Sequence, residues 1–192
     1  MKTACYIQAR GGSKRIPGKN KHLWHGVPFV ADAIHKAQES ELFDLILVSS
    51  DDTEILDIAR QHGALPVLRS AEMSGDNVTD AELAAEVLRP LKRFDIVCKL
   101  YPCVPLLTAE DLRLAWVQFS CHVTDALRAV DADGNDAGAF WMFWNEGKPL
   151  DKMSVIDYTL PIAQDINTYA DIKEAERKWK QQNTGRQTAT DI

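Results

Sequence analysis

The sequence predicts an α/β protein with a Rossmann-like, mostly parallel sheet and helices on both faces. Three observations carry that expectation. Short apolar runs alternate with helix-period segments through residue 120, the pattern of successive strand–helix units. Residues 45–49 read as a continuous apolar strand, as burial on both faces requires. A loop dense in glycine and cations, Ala9-Arg10-Gly11-Gly12-Ser13-Lys14-Arg15-Ile16-Pro17-Gly18-Lys19-Asn20, directly follows the first apolar run, and open α/β sheets bind ligands beyond the carboxyl ends of their strands.

A first strand is expected at about residues 3–8. Gly26-Val27-Pro28 then turns into a helix with Phe29, Val30, Ala33, Ile34 and Ala37 on one side and Lys36 on an exposed face. After the strand at 45–49, a helix over about 53–61 ends at Gly63, a good residue for the left-handed conformation past a helix end. Pro66-Val67-Leu68 forms a short strand. A polar loop through Asp76 and Asn77 leads to a helix burying Leu83, Val87, Leu88 and Leu91. Residues 95–100 form a strand, and two prolines then make a turn. Thr108-Ala109-Glu110-Asp111 resembles a capped helix start, with Leu112, Ala115, Trp116 and Phe119 on the apolar face.

The last third differs. Residues 123–130, 139–144 and 155–160 read as extended, with Asp131-Ala132-Asp133-Gly134-Asn135 as a turn. A terminal helix is expected over about 169–181, with Glu174–Lys178 and Glu176–Lys180 spaced as favourable pairs. Residues 1–182 form one domain, and the polar residues 183–192 are expected to be disordered.

Bulk properties exclude several classes. With 192 residues and a net charge of −6, a nucleic-acid partner is disfavoured, and the cationic loop stands out against an acidic background. No apolar run approaches the roughly 20 residues a membrane span needs, so no membrane partner is expected. Cys5, Cys98, Cys103 and Cys121 make no Cys-x-x-Cys pair, and Cys5 and Cys98 read as buried thiols. The five histidines lack zinc-type spacing. A cytoplasmic location is the matching expectation.

The loop suits a phosphate-rich ligand, because backbone N–H groups and the charges of Arg10, Lys14, Arg15 and Lys19 can converge on anionic oxygens. It is neither of two better-known phosphate loops. Five residues, not four, separate Gly12 from Gly18-Lys19, and Asn20 stands where a Walker loop has its hydroxyl. The Gly-x-Gly-x-x-Gly spacing is absent, which disfavours a Rossmann oxidoreductase.

These residues resemble the opening motif of the acylneuraminate cytidylyltransferase family, with matches at Arg10, Gly11, Ser13, Lys14, Pro17, Lys19 and Asn20. The resemblance continues through the strand ending in Asp51-Asp52, through Leu68-Arg69-Ser70-Ala71-Glu72 with Asp76, and through Leu100-Tyr101-Pro102-Cys103-Val104-Pro105-Leu106. Gln8-Ala9-Arg10 also resembles the spore-coat polysaccharide nucleotidyltransferases, but Lys19-Asn20 favours the cytidylyltransferases. The resemblance implies a nucleotide-diphospho-sugar transferase-like fold. It implies transfer of CMP from CTP to an acidic, nonulosonic-type sugar such as a sialic or pseudaminic acid, with release of pyrophosphate and Mg²⁺ as cofactor.

Carried over residue by residue, the resemblance makes Arg10 and Lys19 the catalytic cations. Ala9, Gly11, Gly12, Ser13, Lys14 and Asn20 join them around the nucleotide, with Arg69, Asp76, Thr79 and Asp80 on the base side. Thr79 also reads as a helix cap. Asp136-Ala137-Gly138-Ala139-Phe140-Trp141 resembles the pseudaminic-type branch, which places Tyr101 and Asp136 toward the sugar. The metal pair is Asp165 and Asn167, two residues apart and on one face if the segment is extended. The chain departs from the family at two places: Asn167 stands where the family has a second aspartate, and a short turn near 123–145 replaces a longer segment that serves acceptor contacts and a dimer arm. Homodimer formation is therefore left open, and the alternative to an active transferase is a non-catalytic nucleotide-binding protein of the same fold. Asn167-Thr168 could equally cap the last helix.

Overall fold

The computed structural model describes residues 1–70, 72–74, 91–148 and 150–187. A seven-stranded sheet organises them, built from β1 (Thr3–Gln8), β4 (Leu45–Ser50), β5 (Leu65–Leu68), β6 (Ile96–Leu100), β7 (Ala126–Val130), β8 (Asp136–Trp144) and β9 (Val155–Thr159). The spatial order is β5-β4-β1-β6-β8-β7-β9. Strands β5, β4, β1 and β6 pair in parallel, β8 runs antiparallel to both β6 and β7, and β9 returns parallel to β7.

The buried runs explain the centre. Every residue of β6 is buried, as are five of the six in β1. Such strands need cover on both faces. On one face lie α1 (Phe29–Glu39), α2 (Thr53–Gln61) and α3 (Ala109–Ser120), which press Val30, Ile34, Ile55, Leu112 and Phe119 onto Cys5, Ile7, Val48 and Cys98. On the other, Ala4, Tyr6, Leu47 and Val97 meet Leu91 and Phe94. The helix expected around Leu83, Val87 and Leu88 lies outside the described residues.

Local signals hold where they are chemical. Asp52 accepts the Glu54 N–H at 2.9 Å to start α2, and Gly63 past its end has φ 79°. Thr108 and Asp111 exchange hydrogen bonds as a capping box. Cys5 and Cys98 lie opposite one another in β1 and β6, both buried, and burial pushes the Cys5 thiol well above its ordinary range.

Several elements differ from expectation. Residues 23–28 form a hairpin before α1, with β2 (Leu23–Trp24) and β3 (Val27–Pro28) antiparallel around His25 and Gly26, whose φ values are 48° and 84°. Two successive positive φ angles suit a tight two-residue hairpin turn. Lys36 is buried, not exposed. The last helix, α4 (Tyr169–Gln187), runs beyond residue 181, so the start of the expected disordered tail is helical. One of its expected charge pairs is rearranged. Glu174 binds Arg177 rather than Lys178, and Lys178 turns inward to the Ala163 carbonyl and the Gln164 side chain. Glu176 meets His25 at 3.2 Å, while Trp179 lies against the His25 ring at 4.2 Å, docking α4 on the hairpin.

Asp125 ties β7 to the start of β9. Its carboxylate accepts from Lys148 Nζ at 2.5 Å and from the Ser154 N–H and Oγ at 2.6 and 2.7 Å. These donors hold its pKa down at about 2. A depressed native pKa contributes stability above the unfolded value of about 3.9, and that contribution is lost as pH falls toward the native one. Asp125→Asn is therefore expected to flatten the acid limb of stability between about pH 4 and about pH 2. Urea midpoints measured across that range check this; an unchanged slope refutes it.

Candidate active site

The loop after β1 is shaped from within. Ala9 is buried, and its N–H donates to Ser49 O at 3.1 Å, extending the β1–β4 ladder by one bond. Gly11 N–H then meets Asp51 Oδ1 at 2.8 Å. A Cβ on Gly11 would fall 2.8 Å from Asp52 Cβ, so this crossing of loop and strand end admits only glycine. Ile16 is buried beside Phe29, Cys103 and Ile166 and pins the loop's middle. Gly18, at φ 66°, turns the chain into a short 3₁₀ segment, Lys19–Lys21, which aims Lys19 back across the carboxyl edge of the sheet.

A cleft of about 440 Å³ opens there, lined by Gln8, Arg10, Lys19, Asn20, Tyr101, Pro102, Cys103, Asp136, Ala137, Gly138, Asp165 and Asn167. It joins the end of β1, the loop after β6, the start of β8 and the segment before α4. The antiparallel direction of β8 is what brings Asp136, its first residue, to the same edge where the parallel strands end.

Seven residues expected from the sequence therefore meet: Arg10, Lys19, Asn20, Tyr101, Asp136, Asp165 and Asn167. Lys19, Asp165 and Asn167 are already connected. Lys19 Nζ donates to Ile166 O at 2.7 Å and lies 3.5 Å from Asn167 Oδ1, and Arg15 reaches the same oxygen at 3.1 Å. The Asn167 amide nitrogen donates to Asp165. Only one orientation of that amide satisfies two cations on one end and a carboxylate on the other. Asn167 is thus a bridge between charges. The cap of α4 falls instead to Thr168 and Asp171, whose carboxylate accepts the N–H groups of Asn167 and Thr168 at 2.8 and 2.7 Å.

Asp165 packs against Gly138, where a Cβ would sit 3.2 Å from its carboxylate, at φ 58°. Burial raises the Asp165 carboxyl above its ordinary value, opposed by Lys19 and the Asn167 amide. Asp136 accepts from Gly138 N at 2.8 Å and from Trp141 Nε1 at 3.2 Å. Tyr101 lies beneath Lys99, whose ammonium is 4.7 Å from the ring centre. Asn20 has both ends of its amide committed, donating to Arg10 O at 2.8 Å and accepting from Cys103 Sγ at 3.2 Å. It holds the loop's shape. Cys103 is pushed by burial to about 12 and is no nucleophile at neutral pH.

The remaining expected residues fall elsewhere. Gly12, Ser13 and Lys14 lie on the loop but not on the cleft wall. Arg69 is buried, and its guanidinium donates to Ser49 O at 3.1 Å, tying the end of β5 to β4 away from the cleft. Asp76, Thr79 and Asp80 lie outside the described residues. Sequence reasoning did not name Gln8, Pro102, Cys103, Ala137 and Gly138 as wall residues. All five carried a signal, because each sits inside a segment that resembles a family motif.

For a divalent cation the donor set fits in part. Asp165 offers one carboxylate on the cleft wall, and Mg²⁺ is commonly held by one or two carboxylates plus substrate phosphates. Asn167 offers no free oxygen in this arrangement.

The fold and cleft together define a nucleotidyltransferase-like α/β protein. The family model for cytidylyltransferases matches residues 4–121, from β1 through α3. The chain belongs to the cytidylyltransferase family. It is 41% identical over 124 residues to a pseudaminic acid cytidylyltransferase of Campylobacter jejuni, covering 62% of this chain and 53% of that protein. It is 32% identical over 131 residues to an N-acylneuraminate cytidylyltransferase of Danio rerio, covering 68% of this chain and 28% of that one. The chain spans about half, or less, of the length of these curated relatives. Among solved structures, a CMP:2-keto-3-deoxy-manno-octonic acid synthetase complexed with CTP superposes with a TM-score of 0.75 at 14% identity, covering 95% of this chain and 100% of that one, a likeness of fold. No described helix is long and apolar enough to cross a membrane.

Proposed function

We propose that the protein transfers CMP from CTP to an acidic sugar of the nonulosonic type, releasing pyrophosphate. The observation that carries this reading is the convergence of Arg10 and Lys19 with Asp165 in one cleft at the carboxyl edge of the sheet, in a chain of this family. In such a reaction a sugar hydroxyl oxygen bonds to the α-phosphorus, the bond to the β-phosphate bridging oxygen breaks, and the hydroxyl proton is lost. The protein's task is to position the two substrates and to neutralise charge. Arg10 is exposed at the cleft mouth and suits a mobile triphosphate. Lys19, held by Ile166 O, offers its charge at a fixed place. Tyr101 and Asp136, which also line the cleft, suit the sugar. Mg²⁺, held by Asp165, would offset charge on the phosphates. Location in the cytoplasm and assembly as a homodimer belong to this same reading.

Pyrophosphate release from CTP and Mg²⁺, with pseudaminic, legionaminic or sialic acid as acceptor, tests the proposal. CTP should also raise the melting temperature more than ATP, GTP or UTP at equal concentration, because a ligand of the native state stabilises it by mass action. Equal shifts from all four would reduce the site to generic phosphate binding. CTP binding without pyrophosphate release would leave a non-catalytic nucleotide-binding protein.

Asn167 makes a separate prediction. Asn167→Asp replaces the donor facing Asp165 with a second carboxylate, and two adjacent carboxylates favour a cation between them. The Mg²⁺ dependence of CTP binding, measured by calorimetry, should become steeper in the variant. No change in that dependence sinks the idea that residues 165 and 167 flank the cation.

A further inference from the structure

Lys36 is a buried cation that the cleft's own chemistry does not use. It sits near the end of α1, where its ammonium donates to Asp32 Oδ2 at 2.5 Å, Pro105 O at 3.0 Å and Val104 O at 3.2 Å. Three acceptors match the three N–H bonds of an ammonium. Asp32, Glu39 and Asp111 supply the surrounding negative charge, while burial lowers the lysine's pKa. A buried ammonium is costly to keep unless it is paired and fully bonded, and this one is both.

The two carbonyls it grips belong to the loop after β6, whose earlier residues Tyr101, Pro102 and Cys103 form one wall of the cleft. The halves of the cleft both lean on that loop. Cys103 Sγ donates to Asn20, which in turn holds Arg10 O, and Cys103 O accepts the Ile166 N–H at 2.9 Å. Ile166 O is the acceptor for Lys19 Nζ. Pro102 and Pro105 have no N–H, so two of this loop's residues cannot contribute backbone donors of their own.

We propose that Lys36 is a positioning residue for the cleft: it clamps the loop after β6 from below and so sets the places of Arg10, Lys19 and Asp165 without touching a ligand. The functional half of this inference rests on the CTP reading above; the structural half does not.

Hydrogen exchange on the full chain tests the structural half without any nucleotide. In Lys36→Met, exchange at the Ile166 amide should accelerate by about tenfold or more, while amides in β1 and β4 keep their protection. CTP affinity, measured well below the melting temperature, tests the functional half and should weaken by about tenfold. A fold-stabilising role alone would lower the melting temperature and leave both the Ile166 rate relative to β1 and the CTP affinity unchanged, which overturns the proposal. Should Lys36→Met fail to fold, Lys36→Gln, which keeps a shorter neutral donor, is read in the same way. If the wild-type protein binds no CTP, the functional reading fails, and selective exchange at Ile166 still decides the clamp.

Discussion

Lys19→Ala is expected to weaken CTP binding by about 10- to 150-fold, the range set by losing one charge-assisted contact of roughly 1.5–3 kcal/mol. Lys19 carries this effect for two reasons. Its charge faces the cleft, and its Nζ fixes the Ile166 carbonyl at 2.7 Å, which steadies Asp165 and Asn167 on either side. Removing it takes away a cation and loosens the segment around Ile166 together. Arg10→Ala should fall in the same range for binding but leave thermal stability nearly unchanged, because Arg10 is exposed. Arg60, paired only with Asp57 on the outer side of α2 among the contacts described, is the control, and Arg60→Ala should bind CTP like the wild type. Lys36 cannot serve that purpose, being buried. Calorimetric titration of the three variants decides the matter. Equal affinities throughout would remove the loop after β1 from the phosphate site.

Phe140→Ala is expected to cost about 3–5 kcal/mol, the usual result of deleting a buried aromatic ring. Phe140 is wholly buried in β8, opposite Leu100, with its ring 6.2 Å from that of Tyr158 on β9. It fills the seam where the antiparallel strand meets its neighbours, and Gly138 of the cleft wall is two residues away. Against a total stability of about 5–15 kcal/mol, the loss is severe. Urea unfolding should show a lower midpoint with an unchanged slope. A loss below about 1 kcal/mol would mean that the site collapses freely around the missing ring, contrary to its packing.

What could be read from the sequence divides along physical lines. Signals carried by one residue's chemistry and its near neighbours were legible: the cap at Thr108 and Asp111, the left-handed Gly63, the apolar β1 and β4, the Gly-rich loop. The same holds for most of the cleft, because Arg10, Lys19, Asn20, Tyr101, Asp136, Asp165 and Asn167 each lie beside a recognisable motif. What depends on distant partners was not legible. Lys36 looks like a surface lysine until Val104 and Pro105 are placed above it. Arg69 also ties β5 to β4 through Ser49 O, a link that nothing near it in the sequence discloses. Lys178 has an acidic residue one helical turn away, yet it bonds to Ala163 and Gln164, which no helical spacing could disclose. The insertion of β8 between β6 and β7 also has no local signature, since strand order is decided by the packing of the whole sheet.

The place of β1 governs how the protein must assemble. It precedes both β4 and β6 in the chain, yet it lies between them inside the sheet. Lys2 N–H bonds to Asp95 across 93 residues, and Lys19 reaches Ile166 across 147. Contacts so far apart in sequence require closing large loops before they return any stabilisation, which slows folding. On the ribosome β1 must therefore wait for both neighbours, and the cleft is completed only when residues near 166 have emerged. During synthesis the cleft should therefore be unable to hold a nucleotide until the segment before α4 is present, and β1 lacks its partners in the meantime.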